Sequence, residues 1–571
     1  MKKLFCLLLL LFSCLFGLFA LSGQDIIPLS SSLYANMDDL YLILGIGTPS
    51  DSRPWSKNEA KAILDVVDGS LLSGSTKRLY EQVKSEVEKD LRWTFPDKFS
   101  LGAFMDVSGE MYAHTNTNTE NGFTSYEDWL YGYTKRKPLL RLRLDMAVSD
   151  FFYTYCDLQY GYGIVSYDDT LSQFDTATMA VGALGIADGV TYVDGSSLLS
   201  QYTRSFSTNL ITAARDFDFD WPKRAVFSVG GKKWNFNVSR DRISWGNSHI
   251  GNFILDDHLD FNEYARFTVF TDYFKYESTV VFMDSIVKES SNPDEKFRML
   301  LAHRLEFRPW RKVTLAVSEN VMYQNDVWDF RYLNPAFIYH NLNNVSMFNA
   351  IAHAELSYTP VPGLNFYGQV VLDQAKAPND SSADSDAWGV LGGVDFGTAL
   401  GKGILTSSFE GAMTLPCLYR RDGVDFLVSR RYDTLKYFYV FKFDYLGFPY
   451  GGDALVFKLD TSYRIPQAME VGFSVTAMWH GEMSIYTLHN SKGNGYTPVY
   501  GSSLFIGDVI TNTWMYSLKC SYDLKNVLKW PSITLYGELD YITIVEYSQS
   551  SKQYDNYRDD VQLTVGTTIA L

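Results

Sequence analysis

Between Trp234 and Gly246 the chain reads Trp-Asn-Phe-Asn-Val-Ser-Arg-Asp-Arg-Ile-Ser-Trp-Gly. Aromatic faces stack on sugar rings, while planar amide and guanidinium groups pair with hydroxyls and carboxylates, so these residue types suit recognition of a saccharide, with arginine as the clamp for an acidic one. Asn237, Ser239 and Asp241 alternate with Val238, Arg240 and Arg242 before Trp245-Gly246 breaks the strand. The same residues have a plainer use: an Arg–Asp pair that orders a polar interior, with Trp245 at an interface.

Other constellations lead to less. His249 lies near Asp256, Asp257 and His258, and His480 lies near Glu482. Each set is either a hydrolytic pair or ordinary wet-loop histidine. The row Asp216, Asp218, Asp220 has calcium-type oxygens, but alternate residues of a strand stand about 6.8 Å apart, which suits a solvated anionic stripe better than one ion. No Gly-x-Ser-x-Gly elbow, His-Glu-x-x-His helix, Walker loop or dinucleotide fingerprint occurs. Cys156, Cys417 and Cys520 are too far apart for a disulfide framework or metal knuckle, and Cys6 and Cys14 fall in the leader. The expectation is a binding protein, not an enzyme, with no metal or cofactor.

Composition narrows the class. The chain's 571 residues include 39 Tyr, 38 Phe and 12 Trp, which excludes disorder and coiled coil. A formal charge of −16 argues against nucleic acid as partner.

Positioning elements fall into three segments. Lys2 and Lys3, an apolar run from Leu4 to Leu21 and small residues at Ala20 and Ser22 predict a signal peptide over residues 1–22, cut after Ala20 or Ser22. An uncleaved anchor and lipid attachment at Cys14 are the alternatives. Residues 23–98 carry helical periodicity: Leu33, Met37, Leu40, Tyr41 and Leu44 stop at Gly45, and Ser56 with Glu59 forms a capping box before Ile63, Leu64 and Val67. Gly69 ends that helix, and Leu79, Tyr80, Val83, Val87 and Leu91 make a third. The segment predicts a small three-helix bundle, acting as a plug.

From Phe99 to Leu571 the period changes to two. Leu140, Leu142, Leu144, Met146 and Val148 alternate with Arg141, Arg143, Asp145 and Ala147, and Ile533, Leu535 and Leu539 oppose Thr534, Tyr536, Glu538 and Asp540. Such faces fit a wall with lipid outside and water inside. Tyr437, Tyr439, Phe441, Phe443 and Tyr445 read as a lipid-facing aromatic stripe, and polar stretches such as His114 to Arg136, Lys376 to Asp386 and His489 to Gly501 read as long loops on one side. The expected fold is mainly β: a large antiparallel transmembrane β-barrel in an outer membrane, with room for sixteen to twenty strands. The C-terminal pattern Thr564, Gly566, Ile569, Leu571 resembles the terminal signal by which such barrels are assembled, with Leu571 in place of the more usual Phe, implying barrel assembly machinery and outer-membrane lipid as partners.

Several of these residues carry a resemblance to the capsule-assembly family Wzi. Arg240 to Gly246 resembles that family's Arg-x-x-x-x-Trp-Gly strand end, although Asn247-Ser248 replaces its usual Pro-Gly. Similar too are Ser32 to Val67 with the Arg53-Pro54 bend, Tyr332-Leu333-Asn334-Pro335, and Pro362 to Gln369 leading to Asp373. The resemblance implies an 18-stranded barrel with a periplasmic helical bundle and a lectin role, holding surface polysaccharide without turning it over. On that reading Arg240, Arg242, Trp245, Tyr332 and Asn334 are the polysaccharide contacts. A porin or hydrophobic-solute channel with a helical plug, or a surface adhesin, is the alternative.

Overall fold

A computed structural model describes residues 22–116, 130–131, 135–160, 176–178, 191–193, 206–210, 222–283, 297–325, 334, 336, 338–339, 348–375, 386–420, 424–433, 439–485, 503–524 and 531–571. Residues 1–21 of the leader, the Asp216–Asp220 row, Tyr332 and Tyr437 lie outside the described residues.

Three helices come first: α1 (Ser32–Leu44), α2 (Lys57–Asp65) and α3 (Gly74–Glu88). The Ser31 hydroxyl accepts from Leu33 N and closes the first turn of α1, while Gly45 ends it at φ 68°. Met37, Leu40, Trp55, Leu79 and Val83 are wholly buried in the bundle's own core. Two readings need correction. The Ser56 hydroxyl does cap Glu59 N (3.2 Å), but the Glu59 carboxylate does not return to Ser56. It pairs instead with Lys275 at 2.5 Å, because a buried ammonium outbids a backbone N–H for a full charge. And α2 stops at Asp65, four residues before Gly69, which opens a single 3-10 turn (Gly69–Leu71).

The wall has eighteen strands: β1 (Phe99–His114), β2 (Leu140–Val148), β3 (Phe152–Tyr160), β4 (Ala225–Gly231), β5 (Trp234–Asp241), β6 (Asn262–Phe270), β7 (Phe274–Phe282), β8 (Phe297–Trp310), β9 (Val313–Asn325), β10 (Phe348–Val361), β11 (Leu364–Gln374), β12 (Ala387–Leu400), β13 (Gly403–Thr414), β14 (Ala454–Ile465), β15 (Met469–His480), β16 (Val509–Asp523), β17 (Ser532–Ser548) and β18 (Gln553–Ala570). Neighbours pair antiparallel all the way round, and β18 closes on β1 from Gln562↔His114 to Ala570↔Asp106. Closure removes the free edges that a lipid-exposed sheet could not satisfy. At one end most connections have two or three residues, such as 232–233 and 401–402; at the other lie the long ones, such as 161–224 and 415–453.

Alternation sorts the side chains as the period-two pattern requires. Leu144, Val148, Leu535, Leu539, Leu563, Val565 and Leu571 are exposed on the outer face. Inside, Arg141 meets Asp157 (2.8 Å) and Arg143 meets Asp106 (3.0 Å). Of the C-terminal pattern, Thr564 and Gly566 face in, Leu571 faces out, and its backbone N–H bonds Met105 O at 2.8 Å.

The interior differs from a uniformly wet lumen. The β5–β6 connection and the β13–β14 connection turn inward, and Trp245, Phe253, Ile254, Leu255, Phe426, Leu446 and Phe448 pack, all fully buried, against the inward-facing wall residues Leu300, Met322, Val371 and Val456. The described part of the aromatic stripe, Tyr439–Tyr445, is no wall strand either. Tyr439–Tyr445 pairs with Leu427–Asp433 in a separate four-stranded sheet, and Tyr445 is buried with its ring 5.7 Å from Tyr419 in the lumen core. An aromatic period of two marks a strand, but not which sheet the strand joins.

Below this apolar core the lumen is ionic. The chain between α1 and α2 threads into the barrel, where Ser52–Arg53 pairs with Ser244–Trp245. There Arg266 meets Glu277 (2.5 Å), and Arg304 grips both Glu355 oxygens (2.7 and 2.8 Å) and also Asp51. Gly45 and Gly47 seat the bundle on the short-turn end: both have positive φ (68° and 89°), and a Cβ would meet Pro362 N and Arg311 O, each at 2.7 Å.

Candidate functional site

Rings mark where the lipid belt ends on the long-loop side. Phe409, Phe457, Trp479, Trp514, Tyr516 and Tyr541 follow one another around β13–β17 with centroids 6.1–6.4 Å apart. This is the aromatic girdle of a membrane barrel. Strand β17 runs seven residues past Tyr541 before turning, about 24 Å of extended chain. The β17–β18 hairpin therefore stands clear of the belt.

That hairpin carries exposed rings beside fixed polar groups. Tyr554 and Tyr557 are 69% and 64% exposed, so each offers a face for stacking. Between them Asn556 donates to Glu546 (2.6 Å), and Arg558 pairs with the same carboxylate (2.9 Å). Flat exposed rings, an amide and an Arg–Glu pair in one strip are the groups that a pyranose needs. Sequence reading took this strand only as the barrel's closing element. Its length was the available signal, since eighteen residues greatly exceed the about 10 that cross a bilayer.

The residues singled out from sequence do not form one site. Arg240 lies on the outer face of β5 with its guanidinium 3.9 Å over the Phe261 ring and 3.7 Å from Glu263. Arg242, on the following loop, donates to Asp257 O (2.9 Å) and meets its carboxylate at 3.0 Å. Trp245 is separated from both: it is completely buried, and its indole N–H donates to Glu277 at 2.6 Å. It has no exposed face on which a sugar could stack. Asn334 is exposed, and its side chain accepts from Ala336 N (3.1 Å).

The histidines are engaged locally. His480 bonds the carbonyls of Gly481 and Tyr450, and Glu482 accepts from Asp508 N and Val509 N, so the two do not face each other as acid and base. His249 meets Asp395 (3.1 Å), not Asp256. His258 sits between Asp256 (2.8 Å) and Asp444 (3.5 Å), tying the β5–β6 loop to the inner sheet. Burial alone would lower its pKa; the hydrogen bonds and charges of the two aspartates outweigh it and raise the imidazole to about 9. A raised histidine stabilises the clamp fully below its free value of about 6.5, and that contribution is lost as pH rises through about 9. NMR titration is expected to show one His258 resonance still protonated at pH 8, absent from His258→Gln; a midpoint near 6.5 would contradict the clamp. Among the described residues no group of three or more His, Cys, Asp or Glu is placed to hold a metal ion.

No protein-family model matches the chain. Nor does any curated protein sequence. Solved structures do match. Wzi, described as an outer membrane protein involved in group 1 capsule assembly in Escherichia coli and a carbohydrate-binding β-barrel, superposes with a TM-score of 0.53 over 96% of this chain and 99% of its own, at 11% identity. OccAB4 of Acinetobacter baumannii gives 0.38 over 84% and 100% at 10% identity, and OpdL of Pseudomonas aeruginosa 0.38 over 82% and 98% at 8%. The chain thus has the fold of Wzi, an 18-stranded outer-membrane-type β-barrel with helices at its N-terminal end.

Proposed function

We propose that this protein holds surface polysaccharide at the long-loop end of an outer-membrane barrel, without catalysis and without conducting solute. The observation that carries the reading is the lumen itself. An 18-stranded wall is wide enough for an aqueous channel, yet the chain fills it with its own loops, Phe253, Ile254 and Leu255 at their centre. A sealed barrel with exposed rings on its outer loops is suited to binding. The likeness of the fold to Wzi, a carbohydrate-binding β-barrel, supports the same reading.

Tyr554, Tyr557 and Asn556 are the preferred contacts, with Arg240, Arg242, Tyr332 and Asn334 as further ones; Trp245 supports the fold. Replacing Tyr554 and Tyr557 together by alanine is expected to weaken retention of purified capsular or exopolysaccharide on intact cells about tenfold, since each ring contributes about 0.5–1.5 kcal/mol. Because both rings are exposed, surface levels and heat-dependent gel migration should not change. Undiminished retention in this variant and in Arg240→Ala/Arg242→Ala would refute the assignment.

A further inference from the structure

At the short-turn end, residues of α1, of α2 and of the segment between them line, together with the hairpins β6–β7 and β8–β9, a cavity of about 320 Å³, the space of about ten waters. Its mouth is framed by Tyr273 and Trp310, and its walls carry Arg308, Arg311, Asp65 and Asp272. The Lys275–Glu59 pair forms the floor and is already satisfied within itself.

Depth is the first clue to the occupant. Tyr273 and Trp310 are 71% and 69% exposed at the hairpin tips, directly below the outward-facing Phe307 and Leu315. Rings so placed, under an apolar wall, sit where acyl chains give way to headgroups. The cavity therefore opens into a layer of phospholipid headgroups at very high local concentration. Charge is the second clue. Arg308 leans on Glu306, whereas Arg311, Asp65 and Asp272 make no ion pair with any described residue. Guanidinium and carboxylate groups lining one cavity complement a zwitterion better than a simple anion.

We propose that this cavity binds the headgroup of a phospholipid bearing a primary ammonium, with the phosphodiester on Arg308 and Arg311 and the ammonium on Asp65 and Asp272. A trimethylammonium headgroup has no N–H to give the aspartates, and a glycerol headgroup brings them no positive charge. The site is independent of the polysaccharide reading, since it lies at the opposite end of the barrel.

The test uses the full chain in nanodiscs of equimolar ethanolamine, choline and glycerol phospholipids, released into a native mass spectrometer. One retained ethanolamine phospholipid is expected, preferred about tenfold over the other two. Asp272→Asn should reduce that preference to near parity, whereas Arg311→Ala, whose phosphodiester partner is common to all three lipids, should lower retention of each about tenfold with the preference kept, the loss of one charge-assisted contact, while heat-dependent gel migration stays normal. Equal retention of the three lipids, or variants indistinguishable from the parent, would leave only an aromatic girdle with solvated charges and overturn the site. Soluble glycerophosphoethanolamine should displace the lipid poorly, because it lacks chains lying on Phe307 and Leu315; full displacement at an equimolar ratio would overturn the lipid as source.

Discussion

Replacing Arg304 by methionine is expected to lower stability by about 3–5 kcal/mol and to free the N-terminal segment from the lumen. Arg304 is 1% exposed and serves three acidic side chains: both oxygens of Glu355 at 2.7 and 2.8 Å, Asp51, and Glu306 at 3.7 Å. Without it, carboxylates buried in one small volume repel one another and lose their only shared fork of donors. Arg304→Lys should fall between, because an ammonium supplies the charge but not the bidentate geometry. Removing all the charge together, as Arg304→Met/Asp51→Asn/Glu355→Gln, should recover much of the loss. Urea unfolding in detergent measures the stability, and limited proteolysis at residues 46–56 reports undocking. A single variant with parental stability and an intact 46–56 segment would show that the network is not what seats the bundle.

The same network shows what a sequence can and cannot convey. Arg141, Arg143 and Asp145 were legible as inward residues because they alternate with Leu140, Leu142 and Leu144 on a single strand. The partners of Arg304 were not, since Asp51 lies 253 residues away on a segment with no periodicity of its own. Closure was readable from β18, whose apolar face needs a neighbouring edge. The helix stop was readable at Gly45, where local bonding decides, whereas the cap that starts the helix is Ser31, one residue before the Ser32 that opens the apolar stripe. At Glu59 a distant lysine overrode the local cap. The site fared worse for the same reason: Trp245 looks like an exposed girdle ring in sequence, yet the loop that bears it folds inward and buries it. Tyr439 to Tyr445 has the alternation of a wall strand and joins another sheet. Alternation encodes a two-sided strand; which two environments lie on its sides is set by tertiary contacts.

The filled lumen leads to the second large effect, on conductance. The parent chain in planar bilayers should be electrically silent, and Phe253→Ser/Ile254→Ser/Leu255→Ser should show steady channel openings. These three side chains are completely buried and pack on Trp245, Val371 and Val456 across the barrel's width. Truncating them removes roughly 6–9 kcal/mol of apolar burial from the core, at about 2–3 kcal/mol each. The wall does not depend on that core for its hydrogen bonds, which run from strand to strand around the closed sheet. Loosened loops can therefore leave the lumen while the barrel stays folded. What they uncover is wide and polar: Lys458, Asp460, Lys519 and Glu538 all alternate inward on β14, β16 and β17. Deleting residues 26–91 should by itself open little, because the helices rest on the short-turn end and the apolar core remains above them. The two variants separate the readings cleanly. A parent that already conducts, with openings enlarged by the helix deletion, would make the protein a channel plugged by its helices; silence broken only by the triple change makes it a barrel sealed by its own loops.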